Sequence, residues 1–270
     1  MRTLSILILA TLLLAVPAIA SEANVDIGDL TPANVSGNSG YTGPIWDGPK
    51  AVLWDNGPFI TQYGTGAGGA DESLVEPPDI NHGWGCQWLS DIRLADDFDV
   101  PAGETWEITA ITLFGYQSMG GPPSTMTAAY IEIFDGPPES ATSVWGDLFT
   151  DVLTSTSWTN VYRVQPAVAG TGTDRPIMAN VCEFSSPIVL TEGTYYICWQ
   201  LDGTEASGPW GNPVTITGQL ETGDAMQYYD YLWDFVLDND SGAMKGMPFI
   251  VEGSVMSLEN ETWATIKAIF

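Results

Sequence analysis

From residue 49 to residue 255 the chain is a succession of short runs in which apolar and polar side chains alternate, broken by Gly, Pro and Asp. No stretch there sustains a helical period. Successive side chains of a strand point to opposite faces, so each run marks a ribbon with one face to bury. Ala129, Ile131 and Ile133 alternate with Tyr130, Glu132 and Phe134, and Tyr195, Ile197, Trp199 and Leu201 alternate with Tyr196, Cys198 and Gln200. Turn formers such as Pro101-Ala102-Gly103, Asp135-Gly136-Pro137-Pro138 and Glu192-Gly193 separate the runs. This pattern predicts an all-β chain, an antiparallel β-sandwich of jelly-roll-like type in one large domain over 49–255. Within 105–116, Trp106, Ile108 and Ala110 share one face while Ile111 and Leu113 continue in the opposite phase. Such a phase change predicts a β-bulge or a sheet-switching corner near Ala110-Ile111.

Composition narrows the function. Asp and Glu total 34 against 7 Lys and Arg, a net charge of -27, whose field repels phosphate and argues against nucleic acid as a partner. A hydrophobic share of 44% is enough to fill a core and argues against disorder. A single His rules out any catalytic scheme or metal site that needs two.

The ends carry export signals. Met1-Arg2-Thr3 is a short positive start, residues 4–16 are apolar, and Pro17-Ala18-Ile19-Ala20 supplies a small-residue cleavage site. We read 1–20 as a secretory signal peptide cut near Ala20, which places the chain outside the cytoplasm, secreted or at the cell surface. No later run is long and apolar enough to suggest a transmembrane segment. Residues 21–48, rich in Gly, Asn, Ser and Pro, read as a loose leader. Residues 256–270 form a tail in which Trp263, Ile266, Ile269 and Phe270 fall close to one helical face, as a docking turn or a sorting tag.

Four groups of residues could carry chemistry. Export permits a disulfide, and Cys182 and Cys198 flank the Glu192-Gly193 turn; the alternative is three buried thiols, Cys86 included. His82 lies in a loop of turn formers beside Trp84 and Cys86, as a backbone-bonded loop residue or a polar group in a binding cleft. No G-x-S-x-G turn is present to make it part of a serine triad. Asp96 and Asp97, followed by Asp99, and the Asp238-Asn239-Asp240-Ser241-Gly242 turn are either calcium ligands or solvated acidic turns. The second lacks the Glu of an EF-hand, since Phe249 stands at position twelve of the loop. Trp84, Trp88 and Trp210 neighbour glycines and are candidates to stack on sugar rings, against the alternative of large rings covering core ends. Glu132 is the least arbitrary carboxylate for a glycoside hydrolase, against an ordinary outward-facing position.

The run Ala95-Asp96-Asp97-Phe98-Asp99-Val100-Pro101-Ala102-Gly103-Glu104-Thr105-Trp106-Glu107-Ile108 resembles the ADDF-x-VP-x-G-x-xW-x-I segment of secreted bacterial β-sandwich domains common in large surface proteins. Asp55-Asn56-Gly57-Pro58 is similar to their opening, Leu190-x-x-Gly193-x-Tyr195 to a hairpin, and Phe249-x-x-Glu252-Gly253 to their closing strand. Together these pieces span about 50 to 255. Thr262-Trp263 through Ile266-Lys267 to Phe270 resembles C-terminal tails of exported bacterial proteins. The resemblance implies a jelly-roll-like fold in a surface or extracellular setting and supplies no catalytic residues. The function expected is an exported, non-catalytic module of binding, adhesion or structure, stabilised by calcium, with cell-surface or matrix components as partners. The alternative is a carbohydrate-active protein, more a polysaccharide-binding module than a hydrolase.

Overall fold

The computed structural model describes residues 24–27 and 41–256. The stretch expected to be a signal peptide, much of the expected leader and the tail beyond residue 256 lie outside the described residues. The described strands are β1 (Val25–Asp26), β2 (Val52–Asp55), β3 (Asp71–Leu74), β4 (Gly83–Gly85), β5 (Arg93–Gly115), β6 (Met126–Phe134), β7 (Ser143–Asp147), β8 (Ser155–Val164), β9 (Pro176–Gly203), β10 (Trp210–Gly211), β11 (Met226–Tyr229), β12 (Leu232–Phe235) and β13 (Phe249–Val255). They build an all-β sandwich. No helix among the described residues is long and apolar enough to cross a membrane.

Two long strands organise it. β5 and β9 pair antiparallel along their whole length, from Leu94↔Trp199 to Gly115↔Met178. The register jumps between Val100↔Gly193 and Thr105↔Thr191, where residues 101–104 loop out opposite Glu192. The Glu192 carboxylate accepts the Gly103 N–H at 2.6 Å, and Gly103 supplies the left-handed φ of +81° the loop requires. The turn signals on both strands therefore mark one shared corner, and residue 193 continues a strand instead of reversing it. On one side of the corner lies layer A, in the order β12-β11-β5-β9-β6-β7; on the other lies layer B, in the order β3-β8-β9-β5-β13-β2.

The layers bury their inner faces on each other. Leu94, Phe98, Ile131, Ile197 and Trp199 come from A, and Ile108, Ile111, Leu113, Cys182 and Phe249 from B, into one core. Phe249 meets Phe98 and Trp199 across it at ring-centroid distances of 6.4 and 6.3 Å. The predicted bulge is present: Ala110 and Ile108 pair the consecutive Glu252 and Gly253 of β13, which leaves Thr109 extra on β5, and on the β9 side the same step sets Thr109 against residues 184–187. That extra residue lets Ile108 and Ile111, two apparent opposite phases, both face the core with no exposure. A Cβ at Gly253 would stand 2.1 Å from the Glu107 carbonyl, so β13 can approach this closely only with glycine there.

A small sheet, β1-β4-β10, closes the end away from the corner. This corrects the loose leader for its described part. Val25 and Asp26 pair Trp84 and Gly83, and Tyr41 packs edge-on to Trp158 at 5.8 Å. Polar composition signals the lack of an apolar period, not the lack of pairing. Tyr228, Tyr229, Tyr231 and Trp233 cluster at the β12 edge of layer A. They form an edge hairpin turned at Asp230-Tyr231, both in left-handed conformation, with Tyr231 82% exposed.

Candidate functional site

The outer face of layer A carries an aromatic plate. Its rows follow from register. Trp233 pairs Tyr228, which pairs Arg93. Met226 pairs Ala95, then Cys198, Glu132 and Gly146 follow in line. Asp97 pairs Tyr196, which pairs Phe134. The middle row is mostly small or flat, so Trp88, Phe134, Tyr196 and Trp233 pack down on Ala95 and Cys198 while remaining half-exposed. Trp88 stacks on Tyr130 at 5.0 Å and 16°, and its Nε1 donates to the Leu148 carbonyl at 3.0 Å. The Arg93 guanidinium lies 4.5 Å over the Tyr228 ring. Leu89 and Phe149, next in sequence to Trp88 and Leu148, are 79% and 86% exposed.

An acidic corner borders the plate. Asp96, Asp97 and Asp224 each bring one carboxylate oxygen within 4.8 Å of the others. Asp96 points inward and is 2% exposed. Its Oδ2 accepts Asn56 Nδ2 at 2.8 Å and the Met247 N–H at 2.6 Å, and its Oδ1 accepts the Asp97 N–H at 3.0 Å. The two motif pieces, Asp96 and Asn56, thus hold β5 to the end of β2. Burial, with the charges of Asp97 and Asp224 adding, pushes the Asp96 carboxyl up to about 8. Burial likewise raises Asp97, together with Asp224 and Asp99. Tyr196 is pushed up to about 12 by burial and by these same carboxylates, which places the corner against the plate. A set of this kind suits a hard cation that takes oxygen ligands, calcium above all. Asp224 follows Gly223 with no local signal and lies 127 residues from Asp97.

The other expected sites come out differently. Asp238 accepts the backbone N–H groups of Ile80, Asn81, Asp240 and Ser241 at 2.9–3.0 Å. Burial alone would raise its pKa, but these donors hold it below the usual value. Its oxygens are spent inside a turn while Asp240 faces solvent, so the pair does not assemble a calcium site. Trp84 is wholly buried in the main core and cannot stack on a ligand. Its flanking glycines mark close backbone approach: a Cβ on Gly83 would lie 2.7 Å from the Gly211 carbonyl. Trp210 is half-buried in β10, with Nε1 on Ser207 Oγ at 3.3 Å, and packs under layer B. Trp88 alone of the three lies on an open face. Glu132 faces outward between Cys198 and Gly146, with no carboxylate as cross-strand neighbour.

The disulfide is not formed. Cys182 and Cys198 sit on opposite sides of the corner, opposite Ile111 and Ala95, and Cys182 belongs to the main core while Cys198 lies under the plate. All three cysteines are buried free thiols. Burial pushes Cys86 up to about 12 and the other two higher still.

His82 belongs to a buried polar cluster at the closed end. It is 1% exposed, and neither ring nitrogen has a described hydrogen-bond partner. Burial, then the charges of Arg175 and Arg163, lowers it to about 3. Beside it Asp26 accepts Arg175 Nε at 2.7 Å and Tyr116 Oη at 2.9 Å. Arg163 donates to the carbonyls of His82, Leu74 and Asn81 and to the hydroxyls of Ser73 and Thr215. Burial lowers Arg163 to about 10. This cluster holds the fold shut and is not an open cleft.

Comparison with protein-family models, with curated proteins and with solved structures found no match.

Proposed function

We propose that this chain is an exported, non-catalytic β-sandwich module that binds polysaccharide at the cell surface or in the extracellular matrix. The observation that carries the reading is the half-exposed aromatic plate of layer A. Flat rings held rigidly by a sheet offer apolar faces to sugar rings, and the Asp and Glu between them accept sugar hydroxyls. The export reading rests on residues 1–20. The thiols are buried and high in pKa and the single imidazole is sealed in, which supports binding over catalysis. The module is calcium-stabilised: Asp96, Asp97 and Asp224 hold the ion, whose charge offsets their mutual repulsion.

The test is retention of the mature protein on insoluble cellulose, chitin and xylan, with the supernatant assayed for released sugar. Retention without release is expected, and Trp88→Ala should weaken it about tenfold, the equivalent of about 1.4 kcal/mol. Loss of wild-type retention on every matrix overturns the reading, and sugar release overturns its non-catalytic part. For calcium, a concentration of 100 times Kd adds about 2.7 kcal/mol. At about 2–4 °C per kcal/mol, the melting temperature should rise roughly 5–10 °C over that in EDTA. Asp224→Ala should erase the difference; an unchanged wild-type melting temperature sinks the site.

A further inference from the structure

Layer B has an outer face of its own, and it is not flat. The segment 45–51 crosses it as a strap. At one end the Trp46 N–H donates to the Trp158 carbonyl at 2.8 Å; at the other the Glu252 carboxylate accepts the backbone N–H groups of Lys50 and Ala51. On β9, residues 184–187 loop out at the step between Glu183↔Ala110 and Ile188↔Ile108. Between strap and loop lies an open trough of about 410 Å³, and beyond Phe184 a second depression of about 460 Å³ shares Glu183 with it. Either volume falls within the roughly 300–1,000 Å³ of small-molecule sites.

The floor comes from four adjacent strands: Ser155 and Ser157 of β8, Glu183 of β9, Thr109 of β5 and Glu252 of β13. Four strands about 4.8 Å apart give a floor roughly 14 Å long across the strands. The bulge that keeps the core in phase is what turns Thr109 to this side. Trp46 and Phe184 supply ring surface beside these hydroxyls and carboxylates. Neither Glu183 nor Asp47 is in an ion pair among the described residues, so both keep acceptor oxygens for a ligand. Lys50 is the single cation lining the trough, against Asp47, Glu183 and Glu252. An anionic chain is therefore repelled, and the chemistry that fits is a neutral chain with many hydroxyls.

We propose that this trough is a second, separate polysaccharide site, specific for a neutral glycan segment lying across the strands. Its ligand class rests on the reading given for the plate. The two sites lie on opposite outer faces, with the main core between them. One straight stretch of polymer cannot occupy both, so the module joins two strands and works as a cross-linker. Joining sites in this way raises avidity without any new contact.

The experiment is isothermal titration of the untagged mature protein with cellohexaose, xylohexaose, mannohexaose and chitohexaose, paired with turbidity of dilute soluble galactomannan and β-glucan. Two sites per chain are expected for at least one hexaose, with turbidity in the corresponding polymer class. Ser155→Trp, which fills the trough at an exposed position, and Glu183→Ala should each weaken one site about tenfold or more. Both should abolish turbidity while leaving the plate's binding and the melting temperature unchanged. Trp88→Ala should weaken the other site about tenfold. One site per chain, weakened by Trp88→Ala and untouched by Ser155→Trp and Glu183→Ala, overturns the trough and spares the plate. Equal binding of polygalacturonate in the trough overturns the neutral-glycan specificity. No wild-type binding to any hexaose or matrix overturns both readings together.

Discussion

Asp26→Ala is expected to destabilise the protein by about 3–5 kcal/mol, the loss seen when one member of a buried ion pair is removed. The residue comes from the segment whose composition reads as a leader, yet it is 8% exposed and pairs with Arg175 in the interior. Burial alone would raise its carboxyl, but Arg175 and Tyr116 hold it below the usual value. Removing it leaves the Tyr116 hydroxyl without this acceptor and Arg175 with only Asp174, at 2.6 Å, as an ion-pair partner among the described residues. At about 2–4 °C per kcal/mol, the melting temperature should fall roughly 6–20 °C. Asp26→Asn keeps an acceptor for Tyr116 and should lose less. Thermal unfolding decides it: a shift under about 2 °C for Asp26→Ala would mean that β1 does not hold the closed end.

The second large effect is on acid stability. His82 has its pKa lowered to about 3 in the fold, against 6.5 in the unfolded chain. The unfolded state therefore takes up a proton first. The stability linked to His82 is complete above pH 6.5 and is lost as pH falls toward 3, at about 1.4 kcal/mol per unit. Asp26, whose pKa is lowered from 3.8, adds a loss of the same sign further down. Between pH 6.5 and 3.8 the slope belongs to His82 among these two. Asp96, pushed up to about 8, acts in the opposite sense over the same window, so the effect is read as a difference from wild type: His82→Leu keeps the backbone groups that bond Asp26 and Arg163 and should remove His82's share of the slope, about 1.4 kcal/mol per pH unit. Because the chain has one His, a single imidazole proton resonance reads its pKa directly. A value near 6.5 in the folded protein would end this account.

Much of the fold was legible. Alternation placed Ile131, Ile133, Ile197 and Trp199 together on faces the structure buries, and the phase change before Ile111 marked a real bulge. The outer-face partners Glu132, Phe134 and Tyr196 were grouped correctly by the same period. Burial of individual loop residues was not legible. Glycines around Trp84 suggested exposure, but a glycine reports backbone freedom or backbone proximity, and here β10 lies against it. The disulfide failed for a related reason. Glu192-Gly193 signals a break in regular geometry, and only the partner strand shows whether the chain reverses or bends.

Local chemistry in the sequence set what each segment can be: strand or turn, which side chains share a face, and how strongly the whole repels anions. These follow from period-two geometry and from charge, which need no knowledge of neighbours. Tertiary structure decided what those faces meet. It bent β5 and β9 through one corner so that each strand serves both layers, and it brought Asp224 to Asp96 and Asp97. It also sealed His82 beside Arg175 and Arg163 and opened a trough over Thr109. Contacts between residues a hundred or more positions apart depend on how whole layers pack. No period, spacing or composition along the chain encodes that distance.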